Sequence, residues 1–460
     1  MSVTRASPLR LGGAGSMWGD ALDPAVELAE HGDVSYLCFD VLAELTMFLF
    51  HRQRERDPEA GFTPDVVGWV EALLPWLTDG GHLVTNAGAA NPRAGARAVA
   101  EAARRAGAPR LRVGAVTGDE LTDRLDELQA SGWEPRNLDT GEVGFDRIAD
   151  RVVGAYAYVG ADGIRDALDD GADVVLTGRA SDTALYVGPV LHEFGWDLDT
   201  TDPDLIAAAI AMGHLLECSC CSTGGMSSQW ERVPEPWAMG YPIAEFGSDG
   251  VFTVSKVPGS GGLIDEWTVK EHLLYEIHDP RRYLMPDGVL DITSLALEDL
   301  GGDRVRLSGA TGERRPDSLK AVVGYRDGWI QEGLLLVPWP DARRRAEYAG
   351  EIVRRRLERN HVPVDELRID LIGVGALGST AAGTEVTDDA DPPEVGLRIA
   401  ARTPTRAAAE QVRRECSLLW IRGAVGTAFG VPMRPRPVIA GWPTLVPRGL
   451  VATTHHIEEV

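Results

Sequence analysis

The first half of the chain alternates short apolar runs with amphipathic stretches, the pattern of successive strand–helix units. The apolar runs fall at residues 9–15, 36–41, 82–88, 111–116, 152–159 and 174–179. The spacing of apolar positions between and after them predicts helices over 42–53, 64–77, 93–106, 120–130, 162–170, 183–194 and 203–217. The strand candidates are nearly unbroken apolar runs, as strands covered on both faces must be. A doubly wound, mostly parallel, Rossmann-like α/β sheet is the expectation.

The second half reads differently. Strands are expected at 321–326, 367–373, 395–401 and 438–440, with helices at 342–360 and 406–421. That β-α-β-β-α-β order is the split βαβ arrangement, so a smaller α+β ferredoxin-like domain is expected over residues 318–445. The acidic stretch 379–393 reads as an exposed linker between the two middle strands. Between Cys218 and Pro258 the composition turns irregular, with a Cys/Ser/Gly knot followed by closely spaced prolines. The domain boundary is placed there, giving residues 1–230 and 231–460. No internal repeat is visible.

Composition narrows the function classes. With 460 residues, 44% hydrophobic and 25% charged, the chain is an ordinary globular protein with room for two cores. A formal charge of −25 repels polyphosphate and excludes nucleic acid as a partner. An anionic substrate therefore needs a local positive site, from arginine side chains or backbone N–H groups. The five cysteines are an odd number, the N-terminus has no long apolar leader, and no apolar run is long enough to span a membrane. Reduced thiols and a cytoplasmic, non-membrane protein are expected. A homo-oligomer is expected by analogy with folds that leave a sheet edge open to pairing.

Chemistry should gather where the strands end, because open parallel sheets bind ligands beyond their carboxyl edges. The first run ends in Gly12-Gly13-Ala14-Gly15-Ser16, the second at Asp40 with Glu44 one helical turn on. The third ends at Thr85-Asn86, with Asn91 further along, the fourth at Gly118-Asp119, and the sixth at Gly178-Arg179 with Ser181 and Asp182. Asp40, Glu44, Asp119 and Asp182 are the candidate acids and bases. Asn86, Asn91 and Arg179 are the candidate holders of a carboxylate or oxyanion. Alternatively, the glycines and asparagines merely turn the chain into each helix.

The loop with Gly13, Gly15 and Ser16 lacks the glycine spacing of a dinucleotide fingerprint, and there is no Walker A sequence. Its N–H groups remain able to hold a phosphate or carboxylate. His214, Glu217 and Cys218 stand at i, i+3 and i+4, so they share a helical face and could hold a divalent metal. His214 as an ordinary hydrogen-bonded helix residue is the competing reading. Thr223-Gly224-Gly225 forms a possible anion-binding turn. Lys256, beside the glycine loop 258–262, suits a phosphate or thioester carbonyl, or else closes a hairpin.

Many passages resemble, in order, the acyclic terpene utilisation family named for AtuA. They include Gly19-Asp20, Phe39-Asp40-Val41-Leu42-Ala43-Glu44, Val84-Thr85-Asn86-Ala87-Gly88 and Thr177-Gly178-Arg179 with Asp182. Gly213-His214-Leu215-Leu216-Glu217-Cys218, Thr223-Gly224-Gly225 and Gly240-Tyr241-Pro242-Ile243 continue the series. The resemblance covers most of residues 9–330 and falls off beyond them. It implies a place in the breakdown of acyclic terpenes, whose intermediates are branched acyl-CoA thioesters, and it carries no assignment of catalytic residues. The expected function is acid/base chemistry on a branched, carboxylated or CoA-linked acyl substrate, either hydration/dehydration or thioester hydrolysis. The alternative is a non-catalytic acyl-CoA-binding subunit that presents substrate to a partner enzyme. No cofactor is required beyond a CoA thioester as substrate and a possible divalent metal.

Overall fold

A computed structural model describes residues 7–108, 110–376, 392–426, 428–429 and 433–460. The acidic stretch expected at 379–393 lies outside the described residues except for 392–393. The chain forms two compact units, one of residues 1–324 and 441–460, the other of residues 325–440.

The first unit is built on strands β1 (Leu9–Gly15), β2 (Tyr36–Phe39), β3 (His82–Thr85), β4 (Arg112–Thr117), β5 (Val152–Ala157) and β6 (Val174–Thr177). Its helices in this stretch are α1 (Asp23–His31), α2 (Glu44–Arg56), α3 (Asp65–Thr78), α4 (Pro92–Arg105), α5 (Leu125–Ala130), α6 (Asp162–Asp169), α7 (Ala184–Phe194) and α8 (Pro203–Glu217). Strands β7 (Pro242–Phe246) and β8 (Phe252–Lys256), helix α9 (Glu266–Leu273), and strands β9 (Tyr283–Leu284) and β10 (Val289–Asp291) follow. Strands β11 (Ala296–Asp299), β12 (Val305–Ser308) and β13 (Thr311–Glu313) come next.

The main sheet has the order β11-β12-β8-β7-β1-β2-β3-β6-β4-β19, closed at one edge by β19 (Thr454–Glu459). The five central strands β1, β2, β3, β6 and β4 are parallel, and β7, β8, β11, β12 and β19 pair antiparallel. The sheet is therefore mixed, a correction to the mostly parallel expectation. Its hairpins β7–β8 and β11–β12 come from residues assigned by sequence to the second domain. Residues 231–324 belong to the first unit because β7 hydrogen-bonds onto β1 and β12 onto β8, which adds both hairpins to the sheet.

Alternate residues of the central strands enter two cores. Leu9, Leu11, Tyr36, Cys38, Val84 and Val175 pack with α6, α7 and α8. Leu37, Phe39, Leu83, Val113, Val174 and Leu176 pack with α1, α3 and α4. Burial on both faces explains the continuous apolar runs. Two expectations change. The run at 152–159 leaves the main sheet: β5 pairs with β14 (Ser318–Pro338), and Tyr158 N–H donates to Lys320 O at 2.8 Å. The helix expected over 120–130 shrinks to a 3-10 turn at Thr122–Arg124 and α5, since Leu121 N–H is spent on Ala155 O.

The second unit takes β14 from residue 325 on, then α10 (Ala342–Arg359), β15 (Glu366–Ile372), β16 (Glu394–Thr403), α11 (Arg406–Arg422), β17 (Ala428–Phe429) and β18 (Arg436–Pro447) up to residue 440. Its strand order is β15-β16-β14-β17, with antiparallel neighbours. Val353, Leu357, Val412, Cys416 and Leu419 of the two helices pack on Leu335, Val337, Leu397 and Ile399.

Candidate functional site

Three neighbouring parallel strands, β2, β3 and β6, bring their carboxyl ends to one edge of the sheet. Asp40 follows β2, Asn86 follows β3, and Arg179 and Asp182 follow β6. Asn86 brackets the first two ends: its Oδ1 accepts from Val41 N–H at 2.8 Å, and its Nδ2 donates to Asp40 Oδ1. Arg179 Nη2 donates to Asp182 Oδ1 at 2.8 Å, Nη1 donates to Leu42 O, and the guanidinium carbon lies 4.2 Å from the centre of the Tyr158 ring.

Glu217 arrives from a different direction, at the carboxyl end of α8. A Cβ at Gly13 of β1 would stand 2.3 Å from Leu216 O, so glycine there lets the end of α8 lie directly on β1. Tyr186 OH donates to that same carbonyl at 3.0 Å. The result is a cluster in which oxygens of Asp40, Asp182 and Glu217 all lie within 4.8 Å of one another.

The electrostatics follow from burial. Asp40 is pushed up to about 8 by burial and then by the charge of Asp182, against the pull of Arg179 and the Asn86 hydrogen bond. Glu217 is raised well above the usual carboxylate range by burial, then by Asp182 and Asp40. Asp182 is the cluster's wet member, with its side chain 33% exposed. It lines a cavity of about 270 Å³ whose other walls include Tyr158, Tyr283, Met285, Leu319 and Lys320. Glu44 accepts from Tyr158 OH and from Lys320 Nζ, both at 2.8 Å. Burial works to raise the Glu44 carboxyl, but Lys320 and then Tyr158 hold it below its ordinary value.

The other expected residues are committed elsewhere. Asp119 is buried and accepts Arg179 N–H at 2.7 Å, and a Cβ at Gly178 would come within 2.3 Å of its Oδ2. Burial pushes it up to about 6, opposed by that N–H. It shapes the loop that carries Arg179. Asn91 caps α4 through Ala94 N–H and donates to Pro58 O and Ala60 O. Gly15 lies within β1, packed on Phe39, and Ser16 closes a turn on Asp20. Thr223 Oγ1 donates to Gly240 O at 2.8 Å, and Gly224 takes a φ of +103° after the 3-10 turn Ser219–Thr223. Lys256 is buried, 3.1 Å from Asp303, and donates to Ser260 O.

The His214, Glu217 and Cys218 grouping holds only in part. His214 is fully buried; its Nε2–H donates to His272 O at 3.1 Å while His272 Nε2–H returns to His214 O at 2.9 Å. Burial, then the neighbouring His272, lowers its pKa to about 3, so the ring is neutral with a bare lone pair on Nδ1. That Nδ1 has no hydrogen-bond partner and lies 3.5 Å from Glu217 Oε1. Cys218 Sγ–H donates to Glu217 Oε2 at 3.6 Å. A hydrogen bond with Cys221 pulls the Cys218 thiol down, but burial and Glu217 outweigh it and leave it raised. It is not an activated nucleophile.

Sequence reasoning missed Tyr158, Tyr283 and Lys320. Lys320 is 276 residues from its partner Glu44, and no local pattern marks it. Asp40 and Asp182 were visible at their strand ends and Glu217 on its helix, but their grouping was not.

Among the described residues no helix is long and apolar enough to cross a membrane. None of the curated proteins and none of the solved structures matches the chain. The family described as acyclic terpene utilisation family protein AtuA matches residues 9–457, well past residue 330, beyond which the recognisable passages fall off. The chain belongs to the acyclic terpene utilisation family AtuA.

Proposed function

We propose that the protein is an enzyme that adds or removes water on a branched, carboxylated or CoA-linked acyl substrate. The observation that carries this reading is Asp182, which joins the buried carboxyl cluster to an apolar-walled cavity. Such cavities, with a few polar groups fixed in the wall, are the common form of small-molecule sites. Leu284, Met285, Pro286, Leu319 and Leu445 suit a branched hydrocarbon chain. Lys320, in the same wall, suits a carboxylate or thioester oxygen. In dehydration, Asp182 takes the proton from the carbon beside the carbonyl. The departing hydroxyl leaves as water with a proton from Lys320 or Tyr158, and hydration reverses both transfers. Thioester hydrolysis through a cysteine is disfavoured, because, against the Cys221 hydrogen bond, burial and Glu217 raise the Cys218 thiol above its ordinary value.

The finer fold reading belongs with this proposal. We take the first unit as a doubly wound Rossmann-like core extended by hairpins, and the second as ferredoxin-like, supported by its antiparallel order β15-β16-β14-β17 under two helices.

The test is mass spectrometry of the protein incubated with branched acyl-CoA thioesters and their free acids. Gain or loss of water on one of them, reduced about 100-fold or more in Asp182→Asn with unchanged circular dichroism, supports the reading. Binding without conversion overturns it and leaves a subunit that presents acyl-CoA to another enzyme.

A further inference from the structure

Buried carboxylates brought together are costly unless a cation offsets them. Asp40, Asp182 and Glu217 face one guanidinium, that of Arg179, whose Nη2 is bonded to Asp182 Oδ1. With all three carboxyls ionised, two negative charges are left in excess. Among the described residues, Lys320, in the same cavity wall as Asp182, is paired with Glu44.

The oxygens are also divided in a particular way. Asn86 donates to Oδ1 of Asp40 and Arg179 to Oδ1 of Asp182, while Asp40 also meets the Leu42 backbone and the Glu217 carboxyl, which ties the three acids into one contact group. Beside them, His214 Nδ1 is a fully buried acceptor with no donor, 3.5 Å from Glu217 Oε1. Buried acceptors are almost always satisfied, so this lone pair marks something that belongs there. A hard divalent cation bound through carboxylate oxygens keeps several waters in its shell, and such a water has a proton to give.

We infer that Asp40, Asp182 and Glu217 bind a hard divalent cation of the magnesium or manganese type, one of whose waters hydrogen-bonds to His214 Nδ1. The all-carboxylate donor set selects such ions over soft ones, and Cys218, whose Sγ is turned to Glu217 Oε2 at 3.6 Å, stays outside it. This assigns the metal to Asp40, Asp182 and Glu217, in place of the His214, Glu217 and Cys218 set. It deepens the function proposed for the same site, but binding is measured without reference to turnover.

The full chain, stripped with a chelator, is titrated with Mn²⁺ and the free ion followed by electron paramagnetic resonance. One Mn²⁺ per chain, displaced by Mg²⁺ and weakened about tenfold or more in both Asp182→Asn and Glu217→Gln, is the expected result. Glu217→Gln preserves side-chain shape, which keeps the test valid if the other variant folds poorly. Absence of saturable binding by the natural chain at millimolar Mn²⁺, or binding unchanged in both variants, overturns the inference. Binding without conversion of any acyl substrate leaves the metal site standing and sinks the enzyme reading. Conversion by a chain that binds no metal does the reverse.

Discussion

Asn86 and Gly13 are both positioning residues, one acting through hydrogen bonds and the other through the lack of a side chain. Truncation in Asn86→Ala strands the buried Val41 N–H and removes the donor to Asp40. A loss of about 2–4 kcal/mol in urea unfolding is expected from two buried hydrogen bonds whose partners are left behind. In Gly13→Ala the new methyl meets the Leu216 carbonyl, which must move. About 1–3 kcal/mol of stability should go, and substrate conversion with it, because Glu217 is the next residue. Asp287 offers a test by pH. It is buried, with Oδ1 accepting from Ala161 N–H and Oδ2 unpartnered, and burial raises it to about 6. Its folded pKa lies above the unfolded value. The stability it contributes as a neutral acid is therefore present below about pH 4 and lost as pH rises through about 6. Asp287→Asn should be more stable than the natural chain at pH 8, with the difference gone by about pH 4 in melts across that range.

The elements that carry the site are short strands followed by loops pinned from behind. Asp119 holds the loop after β6, Asn91 caps α4, and the reciprocal His214–His272 pair ties α8 to α9. Asn91, a candidate ligand holder in the sequence, spends its side chain on three hydrogen bonds within the fold. Asn91→Ala should lower stability by about 1 kcal/mol, the usual worth of a cap, and leave affinity for an acyl ligand unchanged. A parallel loss of affinity in a binding titration would return Asn91 to the site. The element boundaries themselves were largely legible: α8 begins at Pro203 and ends at Glu217, as its spacing predicted. The helix over 120–130 was not, because Glu120 and Leu121 pair with β5, a partner remote in sequence.

At the scale of the whole molecule, the net charge of −25 is repulsive in the folded state. Added salt screens that repulsion, so the melting temperature should rise between about 10 mM and about 300 mM NaCl at pH 7. A flat or falling curve would mean that ion pairs such as Arg315–Asp199 and Arg54–Glu120 outweigh the excess of acid. The same scale governs the sheet. Its central parallel strands come from the first 177 residues, yet hairpins from residues 242–308 and the terminal β19 complete it. That is why a boundary placed by composition near residue 230 cuts through the first unit.

The chain's own order of apolar and polar positions determined most strands and helices, because each reflects a period that local residues set by themselves. It also put Asp40, Asn86, Asp119, Arg179 and Asp182 beyond strand ends, which parallel pairing then gathers on one edge. Tertiary structure decided the rest. Whether Glu217 joins Asp40 and Asp182 depends on how closely α8 approaches β1. Whether Lys320 faces Glu44 depends on a strand pairing across 276 residues. Such meetings are set by packing between distant elements, and no spacing within one element encodes them.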